Sequence, residues 1–295
     1  MTDEIAQFDE RWYLDANPDV RAAVEKGLFA SGLEHYRSHG MREGRYPNAG
    51  SAVTRIAHIH IPKTAGTAIR AALKRAGKRV LSIDGFKTHF DPATDRGIEV
   101  VSGHFGYKTA WIVGGDIVTV LRDPVDRFVS FYYFLRQLHA TRVEVSERTM
   151  IASRYALADF ADLFDCTHLA EELSNAMAWQ LAYSFRLSDR NRFRAEHAPT
   201  NDQLLAIAIR NVESFALVGF QDDMAGFRAA FESRFGVKLE LQREYATTER
   251  AAVEELPLSI RRKILRWTHL DQELYRHVRV ACERRRVARR EGEAA

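Results

Sequence analysis

The chain has 295 residues, 46% hydrophobic and 28% charged, the profile of a globular protein with room for one large α/β domain and a small appendage. No apolar run reaches the ~18 residues of a membrane span, and the acidic start "MTDEIAQFDE" has no apolar signal region, so the expectation is a cytoplasmic protein without a transmembrane segment, peripheral membrane contact being left open. Two cysteines in unrelated contexts, Cys166 and Cys282, make neither a disulfide framework nor a CxxC metal pattern, and no metal site is expected.

The formal charge of +3 is unevenly spread. Residues 1–50 carry six Lys/Arg against nine Asp/Glu, and residues 51–295 carry 37 against 31. A mildly basic main domain suits an anionic ligand and equally describes a solvated surface, and it does not point to nucleic acid.

Residues 8–48 read as a separate helical unit. Asn17 can cap a helix that begins at Pro18, and Gly40 and Gly44 supply stops after "LEHYRSH". Trp12, Tyr13, His35, Tyr36 and His39 are its expected miniature core. "YPNAGSA", Tyr46 to Ala52, is the expected linker, which divides the chain into a module at 1–50 and a domain at 51–295. From Arg55 the pattern is strand, loop, helix. "RIAHIHI" alternates as a strand, and Ile69, Ala72, Leu73 and Ala76 then recur at helical spacing. "IEVVSGHF" is a short buried strand that ends at Gly103, and "DIVTVL" is another. Pro124 opens a helix whose apolar stripe is Val125, Phe128, Val129, Tyr132 and Leu135. "FALVGF" reads as a strand before a helix through Phe227, Ala230 and Phe231. A last helix carries Leu270, Leu274, Val278 and Cys282, with an arginine-rich tail, Arg284 to Arg290, expected to fray into solvent. Buried strands alternating with helices predict a mostly parallel sheet covered on both faces.

"HIPKTAGT", from His60 to Thr67, sits at a strand–helix junction of that sheet, where ligands bind and helix N–H groups point outward. Its backbone can cradle an anion, Lys63 adds charge, and Thr64 and Thr67 add hydroxyls. The Walker A order is absent, because the lysine precedes Gly66 by three residues instead of following a glycine. In "VLRDPVDRFVSFYYF", Arg122 stands at a strand end, where a guanidinium can fork onto a phosphate. Ser130, eight residues on, can add a hydroxyl to the same group; pairing of Arg122 with Asp123 or Asp126 is the plainer alternative.

Together these two segments resemble the sulfotransferases that use 3′-phosphoadenosine 5′-phosphosulfate (PAPS), most nearly the carbohydrate branch that includes heparan sulfate 2-O-sulfotransferase and bacterial relatives. "NVESFALVGFQDDMAGFRAAFESRFG" and "LDQELYRHVR" are similar to that family's C-terminal stretches, so the likeness spans roughly residues 55–280. The N-terminal unit resembles a short module found beside glycan-modifying domains. The resemblance implies a P-loop-like three-layer α/β sandwich with a mostly parallel central sheet. It implies that Lys63, Thr64, Ala65, Gly66 and Thr67 take the 5′-phosphosulfate and Arg122 and Ser130 the 3′-phosphate. Thr247, Thr248 and Arg250, in "REYATTERA", fall where the family closes a loop over the nucleotide, and a polar surface loop is the even alternative.

Transfer to a hydroxyl needs a base, and histidine has the right range. Position singles out His104 among the eleven histidines, directly after a buried strand and Gly103. The resembling enzymes carry a Gly-His pair here with the catalytic histidine; where they also have a histidine two residues earlier, this chain has Ser102. Lys63 has a second expected role, stabilising charge on the leaving group. A glycan acceptor is implied by the resemblance alone. Arg186, Arg190, Arg192 and Arg194 are candidates to hold an acidic sugar or else a solvated loop, the run Phe131-Tyr132-Tyr133-Phe134 is a candidate cleft wall or core, and "NAMAWQL", from Asn175, falls where relatives place an asparagine near the acceptor. A nucleotide-dependent phosphotransferase and a non-enzymatic binding module are the rival readings.

Overall fold

A computed structural model describes residues 8–43, 45–48, 55–83, 90–91, 95, 97–163, 166–184, 199–242 and 250–293. Five short strands make the centre: β1 (Ile56–Ile59), β2 (Val80–Ile83), β3 (Val100–Gly103), β4 (Asp116–Leu121) and β5 (Leu217–Phe220). They lie in the order β2-β3-β1-β4-β5, every pair parallel. The predicted strands are therefore present, with trimmed ends, and β2 is an addition to them. It is a half-buried edge strand whose side chains give no strong alternation.

Both faces of the sheet are covered, as strands apolar on both sides require. On one face Ile56, Val100, Val118 and Val120 pack on α4 (Gly66–Arg75) and α12 (Met224–Phe235), through Ile69, Leu73, Phe227 and Phe231. On the other, Ala57, Ile59, Val101 and Leu121 pack on α5 (Tyr107–Val113), α10 (Ala176–Ala182), α11 (Asn201–Glu213) and the outer half of α13 (Leu258–Glu293). A separate cluster lies beside the sheet. There Phe128, Leu135, Phe160 and Trp267 join α6 (Pro124–Ala140), α7 (Glu147–Arg154), α8 (Leu157–Phe160), α9 (Thr167–Leu173) and the first half of α13. Helix α13 breaks at Thr268, whose φ of −127° leaves the helical range, and then runs unbroken to Glu293. The expected fraying of Arg284–Arg290 is thus not seen in the backbone. Arginine, glutamate and alanine are all good helix formers, and Arg279 pairs one turn on with Glu283.

The N-terminal residues form α1 (Glu10–Ala16), α2 (Pro18–Glu25) and α3 (Gly32–His35), the last running into a π-helical turn at Tyr36–Gly40. Tyr13, Val20 and Tyr36 are their buried centre, with Trp12 packed at its edge. Two expectations change. His39 is exposed, and only His35 of the two histidines is buried, its Nδ1 3.0 Å from the Tyr13 hydroxyl. Asn17 precedes Pro18 as predicted but makes no cap bond, its side chain being held by the Tyr13 carbonyl and Arg45. Gly44 and the linker from residue 49 onward lie outside the described residues. Among the described residues no helix is long and apolar enough to cross a membrane.

Candidate functional site

The register of the sheet decides what can meet. Ile59 of β1 is paired with Gly103 of β3 on one side and Thr119 of β4 on the other. The three central strands consequently release His60, His104 and Arg122 side by side at their carboxyl ends. β1 connects towards β2 on one side of itself, whereas β4 connects to β5 on the other, so the crevice between β1 and β4 is the switch point where open parallel sheets bind ligands.

The loop after β1 has an unusual backbone. Lys63 and Ala65 both have positive φ, 70° and 68°, a conformation that costs a side-chain-bearing residue energy and is kept where the surroundings demand it. Ala65 is the N-cap of α4 and, among the described residues, no side chain caps that helix, so its first N–H groups are not spent on a neighbouring hydroxyl or carboxylate there. Gly66 is required for a reason other than φ. A Cβ there would lie 1.8 Å from the His60 ring, which is buried beneath the start of the helix. Thr64 is buried and donates its hydroxyl to the Ile61 carbonyl at 2.8 Å. Its side chain braces the loop, so its reach towards an anion is through its backbone N–H. Thr67, half-buried, is the second residue of α4.

Cations outnumber anions here. The Lys63 ammonium lies 3.9 Å from the centroid of the Phe134 ring, and burial, with Arg122 and Arg250 nearby, draws its pKa from the ordinary lysine value to about 8. Arg122 Nε donates to Asp126 Oδ2 at 2.6 Å, and its Nη1 donates to the Lys63 carbonyl at 2.8 Å and to Ser130 Oγ at 3.0 Å. Among the described residues Nη2 has no hydrogen-bond partner. Burial lowers the pKa of Arg122, an effect that Asp126 opposes. The other oxygen of Asp126 takes Arg250, which returns to the site from beyond β5. Two guanidinium groups thus share the Asp126 carboxylate, with the Lys63 ammonium a third cation nearby. Of the sequence readings of Arg122, the pairing with Asp126 is present, and the guanidinium also reaches Ser130.

His104 follows Gly103, where a Cβ would meet the Ile83 carbonyl at 2.0 Å, so only glycine lets β2 and β3 close up here. The His104 ring stacks on that of His60 with centroids 4.2 Å apart, and its Nδ1 lies 2.9 Å from the His60 carbonyl oxygen. A carbonyl only accepts, so Nδ1 carries the proton and, in the neutral ring, Nε2 holds the lone pair. His58 and His60 are both buried. Burial pulls the His58 pKa down to about 3 and that of His60 well below the usual imidazole range, so both are neutral. His58 Nδ1 lies 2.9 Å from the hydroxyl of Ser102, its partner in register. Ser102, standing where a second histidine would be, therefore has a structural partner.

The acceptor candidates fare differently. Phe131 and Tyr132 are core residues, while Phe134 underlies Lys63. Asn175 is a joint: its side-chain oxygen accepts from the Leu270 N–H at 2.9 Å and its own N–H donates to the Trp267 carbonyl, across the break in α13. Arg186, Arg190, Arg192, Arg194, Thr247 and Thr248 lie outside the described residues. Sequence reasoning passed over Asp126 as more than an ion-pair partner and did not single out Gln180, which touches the His60 carbonyl. Nothing local to Gln180 marks it. A loop with outward N–H groups, a surplus of positive charge and an adjacent imidazole with a defined lone pair can hold an anionic ligand and take a proton beside it. No protein-family model matches the chain, and no curated protein matches it significantly.

Proposed function

We propose that this chain is a sulfotransferase that moves the sulfuryl group of PAPS onto a hydroxyl by in-line displacement, with a carbohydrate as the acceptor and a P-loop-like fold as its frame. The observation that carries the reading is the meeting of the loop from β1, His104 from β3 and Arg122 from β4 at the carboxyl ends of three adjacent strands, where Arg122 and Arg250 share the Asp126 carboxylate and Lys63 stands close by. The strand–loop–helix from β1 into α4 supports the P-loop-like description, and the carbohydrate acceptor rests on the family resemblance of the sequence.

The residues fit the donor's two anionic ends. Backbone N–H groups of Thr64 to Thr67 and the Lys63 ammonium suit the 5′-phosphosulfate, and the Arg122 guanidinium with the Ser130 hydroxyl suits the 3′-phosphate. When bound, PAPS supplies an activated sulfuryl group with a phosphate as leaving group. Lys63 stabilises charge developing on that phosphate. His104 takes the acceptor's proton at Nε2 while the His60 carbonyl holds Nδ1–H. Acid slows the reaction, because a ring protonated on both nitrogens has no lone pair to offer.

The test compares ligands that differ in one phosphate. 3′,5′-ADP should bind at least about tenfold more tightly than 5′-AMP, since charge-assisted hydrogen bonds contribute ~1.5–3 kcal/mol each. His104→Ala, assayed on the same preparation, should keep that preference while losing ~10²–10⁴-fold in turnover. Equal affinity for the two nucleotides, or tighter binding of ATP than of 3′,5′-ADP, would defeat the reading.

A further inference from the structure

We propose that Gln180 is a positioning residue for His104, an inference that rests on His104 being the base. Gln180 lies on α10 and is completely buried. Its side-chain nitrogen donates to two backbone carbonyls, His60 at 3.1 Å and Phe105 at 2.8 Å. One belongs to the residue whose carbonyl also receives His104 Nδ1–H; the other belongs to the residue directly after His104. Both partners are acceptors only, so the amide is forced to present its NH₂ group to them. Its oxygen is left buried, with no hydrogen-bond partner among the described residues.

That oxygen is the informative atom. A buried acceptor without a partner is costly, and methionine in the same space would fill it at no such cost. Packing therefore does not account for an amide here. The two carbonyls do, because each lies just past the end of a strand, where the sheet's own ladder no longer supplies a donor. The His60 carbonyl has two lone pairs. Gln180 engages one and so fixes the direction of the other towards His104, which holds the ring with its proton on Nδ1 and its lone pair on Nε2. The His60 ring completes the mount. It is wedged beneath Gly66 on one side and stacked on His104 on the other, so loop, base and amide share one backbone carbonyl.

A residue that works through the base is distinguished from a structural one by what happens when the base is gone. Gln180→Met should lower turnover roughly tenfold, the rate equivalent of about one hydrogen bond, without change in 3′,5′-ADP affinity. In the His104→Ala background the same substitution should cost nothing further. Nitrogen NMR of histidine-labelled protein, with His104 assigned by its loss in His104→Ala, should find Nδ1 protonated and Nε2 unprotonated in the wild type at neutral pH. Gln180→Met should mix the two tautomers. Should the methionine variant not fold, Gln180→Asn, which keeps a donor on a shorter arm, makes the same comparison. An unchanged tautomer in the variant, or the same rate loss with and without His104, overturns the inference and leaves the sulfotransferase reading standing. Failure of the wild type to bind 3′,5′-ADP overturns that reading instead, and the tautomer comparison still reports on Gln180.

Discussion

Lys63 holds its charge in a place that resists charge. Burial and two nearby guanidinium groups bring its pKa to about 8, and the Phe134 ring face offsets this only in part. A lysine in that position is poised to respond to an anion. In the free protein it loses its proton as pH rises through about 8. A bound phosphate favours the charged form, so in the complex the proton is retained to higher pH. Affinity for 3′,5′-ADP should accordingly be flat below about 8 and decline above it, and binding near pH 8.5 should take up a fraction of a proton. Calorimetry in two buffers of different ionisation heat measures that uptake directly. Lys63→Ala should abolish the uptake and the decline, bind 3′,5′-ADP only modestly less well below pH 8, and fail in transfer. Undiminished uptake in the variant would assign the proton to another group.

At the scale of the element, the β1–α4 loop shows what sequence could and could not reveal. A proline ending an alternating run, then lysine, threonines and a glycine before an alanine-rich helix, was enough to locate the turn between β1 and α4. The division of labour inside it was hidden. Glycine is the residue expected to take positive φ, yet Lys63 and Ala65 take it, and Gly66 is needed because the His60 ring lies against it. That contact is made by the loop folding back over His60, a tertiary arrangement that no spacing pattern contains. Gln180, 120 residues from His60 along the chain, was out of reach for the same reason. The loop's two features separate experimentally. Ala65→Gly relieves a left-handed alanine and should stabilise the protein by about 1 kcal/mol with nucleotide binding retained. Gly66→Ala must drive the His60 ring away from its place against His104, and should lose both 3′,5′-ADP binding and turnover. Thermal melts with and without nucleotide decide both, and a Gly66→Ala protein that binds normally would show the wedge to be dispensable.

Across the whole molecule, the parts legible in advance were those with strong periodicity: four of the five strands, the helices after β1, β4 and β5, and the last helix. The helices from residue 147 to 173 were not, because they pack on one another, on α6 and on α13 and do not follow the strand–helix alternation. What fastens them to the sheet domain is a buried charge. Arg127 is fully buried, donates from Nη1 to the Glu172 carbonyl at 2.8 Å, and brings Nη2 to 3.8 Å from the equally buried Asp271. Asp271 in turn accepts the N–H groups of Met177 and Ala178 at 3.2 and 2.8 Å, at the start of α10. One ion pair therefore connects α6, which begins beside Arg122, with α13 and with the helix that carries Gln180. Arg127 holds its position at a cost, since burial lowers its pKa and its Nε and Nη2 have no hydrogen-bond partner among the described residues. Removing the arginine alone leaves the Asp271 charge buried without its counter-ion, so Arg127→Leu should destabilise by about 3–5 kcal/mol. Adding Asp271→Asn removes that stranded charge while keeping an oxygen for the two N–H groups, and should recover a substantial part of the loss. Denaturant unfolding of the two variants measures both values. A double variant no more stable than Arg127→Leu would mean that the arginine's packing, and not its charge, ties the helical cluster to the sheet.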